Sequence, residues 1–375
     1  MRRNHRRPGA AGFGIRGQEG GLGIEVRTLG AAELADGTGG EFALDAATLL
    51  EPLLLVDLDG IDGATAAAAA ARIVALGGPA VGFCSGDIAA ELGPLTAALD
   101  LTYAAAADPA DRAVVVTDDV PRAVAEFADC VRRYPQAASF AAQVVRASEG
   151  LPGPAAIDME SFAYSTLQGG PEFGRWLEER RRLGRPLPPP PETDPVLLTA
   201  DGDTLRITLN RPERRNAYGT ALRDALVEAL RTALLAGTFG RIVLDGAGAS
   251  FCSGGDLDEF GHTPDTATAH QIRTRGGAAR LMARLAERTE VRLHGHCVGA
   301  GIEISAFAGH IVAAPDTVIR LPEVAMGLIP GAGGTVSVPR RIGRWRALHL
   351  FVTGVAVGPQ CALEWGLVDE IEGGQ

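Results

Sequence analysis

The stretch from Val291 to Arg341 constrains the fold more than any other part of the chain. It alternates apolar runs with glycine-rich turns, and it contains two glutamates, Glu303 and Glu323, each set among apolar residues. The separation of 323 − 303 = 20 positions is long enough for a helix, a strand and a turn to bring the second glutamate back to the first. We therefore predict two buried carboxyl groups that share one pocket.

The residues around Glu303 predict its local structure. Val291–Leu293 is typical of a short strand, Gly295–Gly301 of a tight loop, and Ile302–His310 of a helix. Glycines where a strand leads into a helix leave backbone N–H groups free to point at a ligand. The N–H of Ala300, which lies in this turn, is therefore a candidate donor to an oxyanion.

A second glycine-rich loop, Ser250–Leu257, follows the predicted buried strand Arg241–Asp245. Its Gly255 offers another backbone N–H group just before Asp256. Two N–H donors, one from each loop, can form an oxyanion hole for a thioester carbonyl. Each well-placed donor of this kind contributes on the order of 10²–10³ in rate.

Four motifs, in this order, resemble the enoyl-CoA hydratase/isomerase, or crotonase, superfamily. They are NRPERRNAY, SFCSGGDL, GAGIE and LPEVAMGLIPGAGGT, and the resemblance covers residues 195 to 371, about half of the chain. It implies an α/β fold with a crotonase-like ββα spiral core. It also implies that the amides of Gly255 and Ala300 hold the oxygen of an acyl-CoA thioester, while Glu303 and Glu323 form the acid/base pair.

The resemblance further implies a set of residues that contact CoA or the acyl group. These are Arg211, Asn216, Ala217, Ser253, Gly254, Asp256, Leu257, Gly299, Pro330 and Gly331. Asp256 has a second interpretation, because an aspartate at this position is also typical of a turn or a helix cap.

Both glutamates together favour an enoyl-CoA hydratase, which adds water to an α,β-unsaturated acyl-CoA. A base must activate water at the β carbon and an acid must protonate the α carbon, and two carboxyl groups in one apolar pocket suit both tasks. One alternative is other chemistry of the superfamily, namely isomerisation, C–C bond hydrolysis or polyketide tailoring. Another alternative is a non-catalytic acyl-CoA-binding protein. In structural terms, Glu303 could be only a capping charge, and Glu323 could pair with Arg320 or Arg340.

The chain divides into five segments by composition and pattern. Residues 1–23 are rich in Gly and Arg and are expected to be a disordered basic tail. Residues 24–119 alternate strand and helix patterns, and the FCSGDI run within them echoes FCSGGDL, so we interpret them as a degenerate α/β crotonase-like region. Residues 120–183 are helical, 184–195 are a proline-rich linker, and 196–375 are the catalytic core.

The helical segment, residues 120–183, resembles the carboxy-terminal helical tail of crotonases. In that family the tail follows the core, whereas here it precedes the core. We expect it to pack on the core of the same chain or of a neighbouring one, because the core would otherwise expose a large apolar patch.

Composition narrows the class of protein and its partners. A formal net charge of −11 argues against a nucleic-acid surface, and no apolar run is long enough for a membrane span. The five cysteines form no CxxC pair, which favours reduced thiols and a cytoplasmic location. His294 and His296 lack a third ligand, so no metal is expected. We expect no cofactor beyond the coenzyme A of the substrate, a partner that is an acyl-CoA or acyl-carrier-protein thioester, and, from the resemblance, a homotrimer or hexamer.

Overall fold

A computed structural model describes residues 26–37, 44–45, 48–49, 52–75, 78–184, 188–189 and 192–373. The predicted basic tail, residues 1–23, lies outside the described residues, as does part of the predicted linker.

The strands and helices of the described residues follow one another along the chain as follows. The strands are β1 (Arg27–Gly30), β2 (Leu44–Asp45), β3 (Thr48–Leu49), β4 (Leu54–Asp57), β5 (Ala80–Asp87), β6 (Leu101–Ala106), β7 (Val114–Val116), β8 (Val196–Asp201), β9 (Thr204–Leu209), β10 (Arg241–Gly246), β11 (Thr289–Leu293), β12 (His296–Val298), β13 (His310–Ala313), β14 (Val318–Arg320) and β15 (Glu370–Ile371). The helices are α1 (Ala31–Ala35), α2 (Gly63–Ala75), α3 (Gly93–Ala98), α4 (Val120–Arg133), α5 (Pro135–Ser148), α6 (Gly153–Gln168), α7 (Pro171–Leu183), α8 (Thr220–Ala236), α9 (Thr266–Gly276), α10 (Ala279–Leu285), α11 (Ala300–Ser305), α12 (Gly334–Ile342), α13 (Arg344–Thr353) and α14 (Pro359–Trp365).

The amino-terminal sheet is parallel, with the strand order β1-β4-β5-β6-β7. Successive side chains of a strand point to opposite faces of its sheet. Leu54 and Val56 therefore face a core shared with α1, α2 and α3, whereas Leu55 and Val81 join the main core of the protein. Because both faces are buried, the strands of this sheet appear in the sequence as short continuous apolar runs.

The larger sheet has the order β15-β13-β11-β10-β9-β8, and β12 pairs with β14 in a separate small sheet. The strands β8 and β9 form the antiparallel hairpin that Asp201-Gly202 predicts. Twice in succession, the chain passes from the large sheet to the small sheet and then to a helix, as β11–β12–α11 and as β13–β14–α12. This repeated order is the ββα spiral, so the predicted α/β fold is confirmed.

The helices α4 to α7 pack on the core of their own chain. Helix α5 contacts α12 and α13, and α6 contacts α9, α10 and α12. Phe127, Val145 and Leu167 belong to the same buried cluster as Ile302 and Phe351. The helical segment therefore covers the core although it comes before the core in the chain.

Polar contacts also fasten the amino-terminal sheet to helix α13. Asp100 is 1% exposed and lies 3.5 Å from Arg344 and 3.2 Å from Arg146. The hydroxyl of Tyr103 lies 2.8 Å from Nδ1 of His349. Burial lowers the pKa of His349 to about 4, so the ring is neutral at pH 7 and makes a neutral hydrogen bond.

Two local predictions were wrong. Gly295–Gly301, predicted as a loop, contains the strand β12, because the backbone of His296 to Val298 pairs with β14. The helix predicted to reach His310 ends at Ser305, and His310 instead begins β13. Gly309 donates its N–H to the carbonyl of Ala286 at 2.8 Å, and this contact with a distant segment redirects the chain.

The two similar runs, FCSGDI and FCSGGDL, also differ in structure. The FCSGDI run lies mostly within strand β5, whereas the FCSGGDL run forms a loop in which Gly254 has a φ of +95°. The interpretation of residues 24–119 as a degenerate copy of the core stays a prediction.

Candidate active site

A cavity of about 200 Å³ lies where the loop after β10 meets the start of α11. It is lined by all four predicted catalytic residues, Gly255, Ala300, Glu303 and Glu323. Its wall also includes Tyr164 of α6, which reaches the cavity from the helical segment ahead of the core. The structure therefore brings the two glycine-rich loops and both glutamates together.

The two predicted amide donors are free to bind a ligand. Within the described ranges, no hydrogen bond is donated by the N–H of Gly255 or of Ala300. The residues on either side of Gly255 are held by Tyr218, which donates to the carbonyl of Gly254 at 2.7 Å and accepts from the N–H of Asp256 at 3.3 Å. The amide of Gly255 is thus fixed in place while its hydrogen-bonding capacity stays unused.

A second set of backbone bonds joins the two loops to each other. Cys252 donates its N–H to His296 at 3.1 Å, and Val298 donates to Cys252 at 2.9 Å. These bonds fix the loop Ser250–Leu257 against the strand β12. One continuous network of backbone hydrogen bonds therefore fixes the two predicted amide donors relative to each other.

Glu303 lies in the first turn of α11 and is 2% exposed. Its Oε2 accepts hydrogen bonds from the N–H groups of Ala332 at 2.6 Å and Gly334 at 3.0 Å. Burial raises the pKa of Glu303 well above its ordinary value, and the nearby charges of Glu323 and Glu160 raise it further, while the two amide bonds oppose the shift. The side chain therefore binds a neighbouring loop and is not merely a cap on its own helix.

Glu323 opens a short 3₁₀ turn, Glu323–Met326. Its Oε2 is buried, and it has no hydrogen-bond partner within the described ranges. Burial raises the pKa of Glu323 to about 8, and the charge of Arg320 lowers it only partly. Arg320 and Arg340 instead donate to the carbonyls of Gly354 and Leu151, and in the part of the chain that the structure describes neither forms an ion pair with Glu323.

Gly299 allows Glu323 to reach this position. Its φ is +49°, and a Cβ built on it would lie 2.4 Å from Oε1 of Glu323. A side chain at this position would therefore collide with the carboxyl group and would also strain the backbone. The role of Gly299, which was predicted to contact the substrate, is thus to leave space for the carboxyl group of Glu323.

A third buried carboxyl group, Glu160 of α6, was missed by the sequence reasoning. It is 1% exposed and accepts hydrogen bonds from the N–H of Gly333 at 2.7 Å and from the N–H and Oγ1 of Thr335, both at 2.8 Å. Burial raises the pKa of Glu160 to about 7 against the opposing effect of these bonds. The available signal was its helical spacing from Ile157 and Tyr164, which places a glutamate on the buried face of α6.

Two of the residues predicted to contact CoA or the acyl group, Asp256 and Gly331, line the cavity. Asp256 also pairs with Arg214 at 2.6 Å, which agrees with the alternative interpretation of a turn residue. The others shape the loops around the cavity, and their role in binding CoA stays a prediction. They are Arg211, Asn216, Ala217, Ser253, Gly254, Leu257, Gly299 and Pro330.

Asn216 shows how these residues shape the site. It is fully buried, and its Nδ2 donates to the carbonyls of Ala247, Ser250 and Phe251 at 2.9–3.0 Å. Its Oδ1 accepts the N–H of Arg211 at 2.6 Å. Asn216 therefore ties the NRPERRNAY segment to the start of the loop that carries Gly255.

His294, His296 and His310 lie outside the cavity. His294 lies with Nε2 3.1 Å from the carbonyl of Gly248, and His296 is exposed in β12. His310 lies 3.5 Å from Glu370 at the surface. Among the described residues, no group of three or more His, Cys, Asp and Glu side chains is arranged to hold a metal ion.

Residues 200–373 match the family model Enoyl-CoA hydratase/isomerase. The 2,3-dehydroadipyl-CoA hydratase of Escherichia coli is 32% identical over 179 residues, which are 47% of this chain and 68% of that protein. The 1,2-epoxyphenylacetyl-CoA isomerase of the same organism is 30% identical over 181 residues, which are 47% of this chain and 69% of that protein.

Solved structures are also similar. The enoyl-CoA hydratase from Thermoplasma volcanium is 30% identical, with a TM-score of 0.44 over 48% of this chain and 72% of that chain. The enoyl-CoA hydratase of Mycobacterium smegmatis is 29% identical, with a TM-score of 0.45 over 48% of this chain and 70% of that chain.

Two unbonded amides and two carboxyl groups line one cavity, and the sequence matches identify the family of the chain. The chain belongs to the enoyl-CoA hydratase/isomerase family, whose members are enzymes that act on acyl-CoA thioesters. The predicted family is therefore confirmed. Of the helices that the structure describes, none combines the length and the apolar character that crossing a membrane requires.

Proposed function

We propose that this protein hydrates an α,β-unsaturated acyl-CoA thioester. The observation that carries the proposal is that Glu303 and Glu323 line one cavity together with the unbonded amides of Gly255 and Ala300. The amides donate to the thioester oxygen, on which negative charge develops when the β carbon is attacked. Hydration uses both carboxyl groups, since one must activate water and the other must protonate the α carbon.

The two carboxyl groups divide the proton transfers between them. Glu303 orients a water molecule and takes one of its protons as the water oxygen bonds to the β carbon. Glu323 gives its proton to the α carbon, so the elements of one water molecule are added across the double bond. Burial raises the pKa of both groups, which supports a pair that holds a proton at neutral pH.

The test is hydration of crotonyl-CoA, followed by the loss of enoyl absorbance. We expect the wild-type protein to hydrate crotonyl-CoA. We expect kcat to fall by at least 10²-fold in Glu303→Gln and in Glu323→Gln, which is the order of magnitude that positioned acids and bases contribute. The Kd for butyryl-CoA, which cannot react, serves as the control and should change little. Wild-type turnover in both variants would refute the assignment of these two residues.

Isomerisation of the double bond is the second candidate. It is supported by the description of the matching family model, Enoyl-CoA hydratase/isomerase, which names both reactions. A shift of the double bond without uptake of ¹⁸O from labelled water would establish it and would exclude hydration as the main reaction.

The carrier and the assembly complete the proposal. The names of both relatives specify CoA thioesters, which supports CoA over an acyl-carrier protein as the carrier. The reaction requires no cofactor beyond that CoA. A homotrimer or hexamer stays a prediction, and light scattering of the purified protein would test it.

A further inference from the structure

Helix α6 presents a polar stripe to the cavity. Glu160, Tyr164 and Gln168 are spaced four residues apart and therefore lie on one face of the helix. Tyr164 and Gln168 line the cavity, while Glu160 is buried beside the catalytic carboxyl groups. At about 1.5 Å per residue, the stripe extends roughly 12 Å from Glu160 to Gln168. The cavity therefore has a polar region about two helical turns away from Glu160.

Arg273 of α9 supplies a positive charge in this region. Its guanidinium lies over the ring of Tyr164, 4.4 Å from the ring centre. It donates to Oε1 of Gln168 at 2.9 Å, to Oγ of Ser161 at 3.1 Å and to Oγ of Ser165. The acceptors in these bonds are uncharged.

No carboxylate lies within ion-pair distance of Arg273 among the residues that the structure describes. Glu160 acts on it only through its more distant charge. Arg273 is half-buried, and its partial desolvation is offset by uncharged acceptors and not by a nearby opposite charge. A negatively charged group in the cavity would reduce the cost of this desolvation.

Tyr164 supplies a second, independent observation. Its side chain is 9% exposed and lines the cavity, yet within the described ranges its hydroxyl takes part in no hydrogen bond. The other tyrosine of the cavity, Tyr218, has the backbone of Ala278 near its hydroxyl. The hydroxyl of Tyr164 is reached from the cavity, so its donor is open to an acceptor that a ligand brings.

We propose that Arg273 and Tyr164 bind a carboxylate at the far end of the acyl group, so that the preferred substrates are CoA monothioesters of dicarboxylic acids. The proposal rests on the proposed function only in requiring that a thioester occupies the cavity. The phosphates of CoA are the other source of an anion. The acyl end is favoured because the pair lines the same cavity as Glu303 and Glu323, where the acyl group reacts.

The test is calorimetric binding of saturated thioesters, which cannot be hydrated. Adipyl-CoA and hexanoyl-CoA have the same acyl length and differ in the terminal carboxylate. We expect the wild type to bind adipyl-CoA more tightly by about tenfold or more, the typical value of a hydrogen-bonded charge. A series from succinyl- to pimelyl-CoA should show one optimum length. This comparison needs no variant and therefore does not depend on how a variant folds.

Variants then assign the preference to residues. Arg273→Gln should abolish the preference for adipyl-CoA while changing the Kd of hexanoyl-CoA less than twofold, and Tyr164→Phe should reduce the preference several-fold. The matched control is Arg280→Gln, because Arg280 of the adjacent helix α10 pairs with Asp158 instead of lining the cavity. This control should keep the full preference.

The outcomes separate the possible failures. Equal binding of adipyl- and hexanoyl-CoA by the wild type overturns the inference and leaves the proposed function standing. A second outcome is that Arg273→Gln weakens the binding of both CoA thioesters equally but does not weaken the binding of the corresponding acyl-pantetheines. That result assigns Arg273 to the phosphates of CoA and also overturns the inference. Failure of every thioester to bind overturns the proposed function and the inference together.

Discussion

Glu160 and Glu303 bind alternate amides of one backbone segment, residues 332 to 335. Glu303 accepts the N–H groups of residues 332 and 334 at 2.6 and 3.0 Å, and Glu160 accepts those of residues 333 and 335 at 2.7 and 2.8 Å. This segment begins α12, where backbone N–H groups lack partners within the helix. The amino-terminal end of α12 therefore holds the carboxyl group of Glu303, from the core, beside that of Glu160, from the preceding helical segment.

We expect Glu160→Gln to alter catalysis through the acid/base pair. The charge of Glu160 raises the pKa of both Glu303 and Glu323, so its removal should lower both pKa values and move the alkaline limb of the kcat profile to lower pH. The other charged groups that act on these three carboxyl groups, Arg273 and Arg320, are unchanged in the variant. The measurement is kcat against pH with crotonyl-CoA.

A purely structural role of Glu160 predicts a different result. It would lower kcat equally at every pH and leave the shape of the profile unchanged. The Kd for butyryl-CoA should stay within a few-fold of the wild-type value in either case.

Glu323→Gln should stabilise the protein at alkaline pH. The pKa of Glu323 is about 8 in the folded protein and near 4.5 when exposed, so between these values the folded state binds more protons than the unfolded state. The contribution of Glu323 to the free energy of unfolding is therefore fully present below about pH 4.5, and it is lost as the pH rises to 8. We expect the variant to gain roughly 1–3 kcal/mol over the wild type at pH 8 and little at pH 4.5.

Urea unfolding at the two pH values measures this difference. The exposed Glu213 provides the control, since Glu213→Gln should change stability little at either pH. A gain that is independent of pH would show that the buried charge of Glu323 is not its cause.

Gly299→Ala should inactivate the enzyme without unfolding it. The new Cβ would lie 2.4 Å from Oε1 of Glu323, at a φ of +49°, so the carboxyl group must move. We expect kcat for crotonyl-CoA to fall by about 10²-fold or more, because catalysis depends strongly on such placement. Gly174→Ala is the matched control, since no atom lies within 4 Å of the added Cβ and alanine favours the helix α7. Wild-type kcat in Gly299→Ala would contradict the described position of Glu323.

Asn216→Ala separates a structural role from a direct contact with CoA. The side chain makes hydrogen bonds to three carbonyls and one N–H, all buried with it, so its loss should cost about 2–4 kcal/mol in the free energy of unfolding. Because these bonds hold the loop that carries Gly255, kcat should fall as well. Urea unfolding and the Kd of free CoA measure the two roles. Wild-type stability with weakened CoA binding would favour the direct contact.

Local sequence patterns were sufficient for those parts of the site that lie on short motifs. The strand before Ser250–Leu257 and the turn that carries Ala300 follow from glycine and apolar spacing over a few residues. The predictions for β12 and for the end of α11 were wrong. The pairing of β12 with β14 and the contact between Gly309 and Ala286 involve segments that are distant in the sequence, so local patterns do not contain them.

The sequence by itself indicated the family and the hairpin β8–β9, and its contiguous motifs singled out Gly255, Ala300, Glu303 and Glu323, which line one cavity. Their roles as oxyanion donors and acid pair stay a prediction. Only the tertiary structure decided that Glu160, Tyr164 and Arg273 belong to the same cavity. Helix α6 and helix α9 lie about a hundred residues apart in the chain, as the bond between Ser161 and Arg273 shows. Their apposition results from burial of a common apolar core, which depends on the summed packing of many side chains and has no local signature.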